Sequence, residues 1–206
     1  MQKLIEKIKF NMDIEGYAQS KGFIGFFEKF GKYQHGMDDV AINFFLNYFY
    51  PSFYQGYVIS TLFVDIDFIK SYSSASIKKE TPFYIDYLSL HSLIQVINNQ
   101  YSEIEQEELC KHLINMNKYM TKELSSFNVF DLSIISSSLI SWGAARGHLF
   151  YYLPKYELII YPHDDVGFGF INISDTADKN NYFALNFLKE VNKLDGFIAH
   201  LNREKY

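Results

Sequence analysis

Between Gly147 and Ile173 the chain makes three short runs that suit a β-sheet better than any other structure. They are Leu149-Phe-Tyr-Tyr-Leu, Glu157-Leu-Ile-Ile-Tyr and Val166-Gly-Phe-Gly-Phe-Ile-Asn-Ile. β-Branched and aromatic side chains fit a pleated surface. The links Pro154-Lys155 and Pro162-His163-Asp164-Asp165 have turn composition. Links this short join strands antiparallel, so the block predicts a three-stranded meander. A helix expected over 180–194 covers one face of it with Phe183, Phe187, Leu188, Val191 and Leu194.

Upstream, helical spacing dominates the reading. Leu4, Ile5 and Ile8 share one face of a helix over 3–10, with Lys3, Glu6 and Lys7 opposite. Gly16, Gly22 and Gly25 break 16–36 into short pieces. Asp38 or Asp39 caps a helix over 40–50 that Pro51 ends. Residues 52–61 lean to helix, whereas the alternation of Leu62, Val64, Ile66 and Phe68 suggests a strand, so 57–69 stays open between the two. Ser71–Thr81 reads as an exposed loop and 90–97 as a helix. Ser102 and Glu105 form a capping box for a long helix carrying Leu109, Leu113, Met116, Met120 and Leu124. Asp131 caps another, with Leu132, Ile135, Leu139 and Trp142 on one face. The expected fold is a single α+β domain over 1–206: a mainly helical N-terminal two-thirds, then the three-stranded antiparallel meander and its covering C-terminal helix.

Composition narrows the function classes. With 20 Phe and 17 Tyr in 206 residues, the core is expected to be aromatic, with Tyr rings left over for a surface. A net charge of -5 argues against nucleic acid as the main ligand and is compatible with a basic protein partner. Cys110 is the single cysteine, so there is no disulfide framework and no cysteine metal site; its helical context predicts a buried thiol. Charges interrupt every long apolar run, which predicts no membrane span, no signal peptide and a cytoplasmic location.

The compact chemical cluster is His163-Asp164-Asp165. Imidazole and carboxylates together can hold a divalent cation or move protons. The same residues are also ordinary turn chemistry, and as a recognition loop they offer exposed acids. His148 could approach them if the strands pair in register, and Arg146 could pair with Asp164 or Asp165. Asp65 and Asp67 would leave the same side of a strand, as paired carboxylates do in Mg²⁺ sites, or else lie on a solvated outer face. Ser136-Ser137-Ser138 lacks a nucleophile-elbow context. Gly167-Phe-Gly reads as close packing within a strand rather than a phosphate loop.

The segment from Leu158 to Phe170, through Tyr161, Asp164, Asp165 and Gly167, resembles the Tyr-Asp-Asp-x-Gly strand–turn–strand of small bacterial families that look like toxin-immunity proteins, including those of contact-dependent inhibition. It covers about 13 residues, with Pro162-His163 inserted after the tyrosine and Val166 where an arginine is often found. The resemblance implies a non-enzymatic protein that binds a cognate toxin domain and covers its active site. The acidic balance favours a basic nuclease domain as that partner, with His163, Asp164, Asp165, Asp65 and Asp67 as contacts and no cofactor or metal. The alternative is a metal-dependent hydrolase or nuclease built on the His163-Asp164-Asp165 cluster.

Overall fold

Residues 2–71, 74–97, 105, 108, 119–174 and 181–202 are described by a computed structural model. The strands are β1 (Phe23–Lys29), β2 (Tyr57–Ser60), β3 (Phe63–Asp65), β4 (Gln95–Ile97), β5 (Met120–Glu123), β6 (Leu149–Leu153), β7 (Leu158–His163), β8 (Gly167–Asn172) and β9 (Phe197–Leu201). Seven of them form one antiparallel sheet in the order β5-β2-β6-β7-β8-β1-β9. The helices are α1 (Gln2–Asn11), α2 (Met37–Phe49), α3 (Ile66–Ser71), α4 (Ala75–Leu90), α5 (Val129–Ser137) and α6 (Tyr182–Val191).

This corrects the expected architecture. The mainly helical N-terminal two-thirds is replaced by a mixed α/β arrangement, and the three strands of the meander are the middle of a seven-stranded sheet. β1, β2, β4 and β5 fall where broken pieces or helix were expected. Conversely, most of the expected loop 71–81 belongs to α4, whose Ser74 side chain caps it by accepting the Ile77 N–H. β3 and β4 pair in parallel, which needs a crossover, and α3 and α4 supply it. The helix expected over 102–124 gives way to strand at Met120; its earlier part, with Cys110, lies outside the described residues apart from 105 and 108.

The sheet is covered on both faces, and side chains alternate between two cores. On one side Ile24, Phe27, Tyr151, Leu158, Ile160, Phe168 and Phe170 meet α2, α5 and α6. Phe45 of α2 stacks on Phe168 with centroids 3.9 Å apart, and Phe49 meets Phe187 of α6 at 5.0 Å. Fully buried aromatic rings each remove a large area from water, and these rings dominate that core. The Tyr151 hydroxyl, wholly buried, is satisfied by Ser136 Oγ at 2.8 Å. On the other side Ile59, Phe150, Ile159, Tyr161 and Ile171 are covered by Ile5, Ile8 and Met12 of the N-terminal segment. Among the described residues, the ten-residue α1 supplies much of the cover of this face.

Among the described residues no helix is long and apolar enough to cross a membrane.

Candidate functional site

The β7–β8 hairpin ends at the cluster singled out above. His163 pairs with Gly167, leaving Asp164, Asp165 and Val166 as the loop. Loops of three residues place the last one in the left-handed region, usually a glycine. Here it is Val166, with φ 61° and its side chain buried. A β-branched residue is strained in that conformation, so burial of the Val166 side chain is what the loop gains in exchange.

His163 is mostly buried, and its Nε2–H donates to the Phe27 carbonyl at 3.0 Å. Burial lowers its pKa, against the opposing pull of the Phe27 carbonyl and of Asp165, Asp164 and Glu28. The neutral tautomer with the proton on Nε2 is thereby favoured, and Nδ1 keeps its lone pair. Its ring meets Phe26 edge-on at 5.7 Å. Asp165 receives Lys29 twice: the Lys29 N–H donates to its carbonyl at 3.1 Å, and Lys29 Nζ stands 3.3 Å from Oδ1. The backbone of Arg146, the expected partner of this loop, makes a bridge with Phe63. Asp164 and Asp165 are both exposed. Phe30, 68% exposed, follows Lys29 at the end of β1 with its N–H on the Gly196 carbonyl at 2.7 Å.

The two glycines of Gly167-Phe-Gly are explained by packing. A Cβ at Gly167 would stand 1.7 Å from the Phe27 carbonyl oxygen, so glycine is what lets β8 approach β1. A Cβ at Gly169 would stand 2.0 Å from Tyr161 Cζ, because the Tyr161 ring lies across its cross-strand partner. Tyr161 and Gly167 thus build the hairpin, while Asp164 and Asp165 are presented by it.

The cluster is compact enough to close on one cation, with Lys29 as a competitor for Asp165. One ligand atom from each of His163, Asp164 and Asp165 falls within 4.8 Å of the others. Donors bound at 2.0–2.6 Å to one ion span at most about that distance when opposite each other.

The other candidates fall elsewhere. Asp65 ends β3 and is only 3% exposed; its Oδ1 accepts the Asp67 N–H at 3.0 Å, which caps α3. Asp67 sits in the first turn of α3 and pairs with Lys70 at 2.7 Å. The two do not project from one strand, and a buried capping Asp65 is no contact for a partner. His148 is half-buried and bonded through Nδ1 to the Tyr17 hydroxyl, with Thr61 Oγ1 accepting its backbone N–H at 3.0 Å. Sequence reasoning missed Phe27, Lys29 and Phe30 as the hairpin's neighbours. The signal was present only as the apolar run Phe23–Phe27, which period alone cannot tell from a helix.

No protein-family model matches the chain, and neither curated proteins nor solved structures show a significant match to it.

Proposed function

We propose that the protein is a non-enzymatic, immunity-type binder that neutralises a cognate toxin domain by covering its active site. One observation carries the reading: the hairpin tip holds two exposed carboxylates on a braced scaffold. His163, Val166 and Lys29 hold the loop in place, so Asp164 and Asp165 are presented with little ordering left to lose on binding. Phe30, next in the chain to the Lys29 that pairs with Asp165, adds an exposed aromatic of the kind that favours a binding hot spot. The net charge of -5 supports a basic partner, as a nuclease toxin would be. Asp67 would lie at the periphery of such an interface, and the buried Asp65 outside it.

Tagged protein drawn from its native host is expected to carry a basic toxin fragment in stoichiometric amount. The double variant D164K/D165K is expected to weaken that complex at least about tenfold, chiefly through slower association, with an unchanged circular dichroism spectrum. Unchanged affinity would remove the hairpin tip from the interface.

The convergence of His163, Asp164 and Asp165 favours the metal-dependent hydrolase as a second reading. Titration calorimetry with Mn²⁺ and Zn²⁺ separates the two. No saturable heat is expected. Stoichiometric binding that disappears in D164N/D165N would bring the hydrolase forward.

A further inference from the structure

We propose that the N-terminal segment 2–20 is a releasable strap over the second face of the sheet. Tyr17 latches it against His148, and protonation of that imidazole lifts it.

The geometry sets the strap apart from the rest of the core. It consists of α1 and the short turn Tyr17–Gln19, and beneath it lies an apolar surface of Ile59, Phe150, Ile159, Tyr161 and Ile171. Its apolar contribution is Ile5, Ile8 and Met12, with Leu4 partly buried. Its polar ties to the sheet include Lys7 with Glu157 and the Tyr17 hydroxyl with His148 Nδ1. Tyr17 is also the plug. Its ring sits 4.1 Å from that of Tyr161, 5.8 Å from His148 and 6.0 Å from Phe150.

His148 cannot follow the strap if it leaves. Its ring lies flat on Phe150 at 5.9 Å and 9°, and its backbone is pinned to Thr61 on both sides. Around it stand the Tyr17 phenol, Thr61 and Phe150. Lys9 of α1 and Tyr119 line the small hollow next to Thr61 and Phe150, and Tyr161 lies under Tyr17. Among these described residues around it there is no carboxylate that would neutralise an imidazolium. Burial alone brings the His148 pKa down from 6.5 to about 4.

Protonation need not break the latch directly, since an imidazolium Nδ1–H can donate to the phenol oxygen. The cost lies in keeping a charge dry. Lifting Tyr17 and its segment uncovers the half-buried ring to water while the sheet stays intact. The sign follows from linkage. The closed-state pKa is below the open-state value, so the closed strap is fully favoured above 6.5. That preference is lost progressively as pH falls from 6.5 toward 4. The other tie does not interfere in this range, because the Lys7 hydrogen bond holds the Glu157 pKa below its usual value.

Hydrogen exchange, corrected for intrinsic pH dependence, tests this on the whole chain at pH 7.5 and pH 5. Linkage with 6.5 in the open strap and about 4 in the closed one gives an opening constant about 30-fold larger at pH 5. Amides of α1 are expected to lose protection by that factor while those of β6, β7 and β8 keep theirs. H148Q is expected to abolish the pH dependence whatever its own protection level, and E157Q to leave it in place. The proposal is overturned if α1 is equally protected at both pH values. It fails equally if all segments lose protection together, or if H148Q responds to pH as the parent does.

Discussion

Phe45→Ala is expected to lower the unfolding free energy by about 4 kcal/mol, measured by urea denaturation. The ring is 0% exposed and lies at the junction of α2, β6, β8 and α6. It stacks on Phe168 at 3.9 Å and 17°, and lies 5.1 Å from Phe49, 5.8 Å from Tyr151 and 6.4 Å from Phe187. Truncation removes the area of a phenyl ring and leaves a hole that its neighbours cannot close, because each is held by its own contacts. Tyr151 is tied to Ser136, and Phe49 packs against Phe170 and Phe183. With a total stability of about 5–15 kcal/mol for a natural domain, this one change consumes a large part of it. Phe130→Ala is the control: at 68% exposure it is expected to cost less than about 0.5 kcal/mol. A loss below about 2 kcal/mol for Phe45→Ala would mean that the ring stack is loose enough to refill the space.

The same two-sided core explains what could be read from the chain and what could not. Where turn residues bracket an apolar run, as around 149–172, the strands were legible, and β6, β7 and β8 lie close to the expected positions. Where the run is apolar on both sides, periodicity carries no information. Phe23-Ile-Gly-Phe-Phe sends Phe23 and Phe26 to one core and Ile24 and Phe27 to the other, so no alternation marks it as a strand. A bulge between Phe23 and Gly25 blurs the pattern further. Val58 and Ile59 of β2 likewise face opposite cores, which made Tyr57–Ser60 resemble a continuing helix. β5 was hidden for another reason: Met120 and Leu124 are four apart and satisfy a helical stripe, yet pairing with β2 makes Met120–Glu123 a strand and Leu124 opens a 3-10 turn. Tertiary pairing overrode a local pattern.

The candidate site was legible as chemistry but not as structure. His163, Asp164 and Asp165 stood out because three polar residues interrupt an apolar block. That His163 would be used to hold the Phe27 carbonyl depends on β1 lying against β8, a contact between residues 136 apart in sequence. Asp65 misled for a complementary reason. An acid two residues before another suggests a shared strand face, but a chain that turns from strand into helix at Asp65 uses the first acid as a cap.

Gly167→Ala is expected to cost about 3 kcal/mol, well above what the loss of a flexible residue would cause. The added methyl would stand 1.7 Å from the Phe27 carbonyl oxygen and 2.7 Å from its carbon. Both are backbone atoms of the neighbouring strand, so no side-chain rotation relieves the clash. β8 must move away from β1, and the Lys29 N–H bond to the Asp165 carbonyl and the His163 bond to Phe27 stretch with it. Gly31 separates this from backbone strain. It has φ 79° with nothing within 4 Å of a built Cβ, so Gly31→Ala is expected to cost only about 1 kcal/mol, from the left-handed conformation itself. Urea denaturation of both variants gives the comparison. A Gly167→Ala loss no larger than that of Gly31→Ala would mean that the β1–β8 approach tolerates a side chain. The hairpin tip would then be less firmly braced than a preformed binding loop requires.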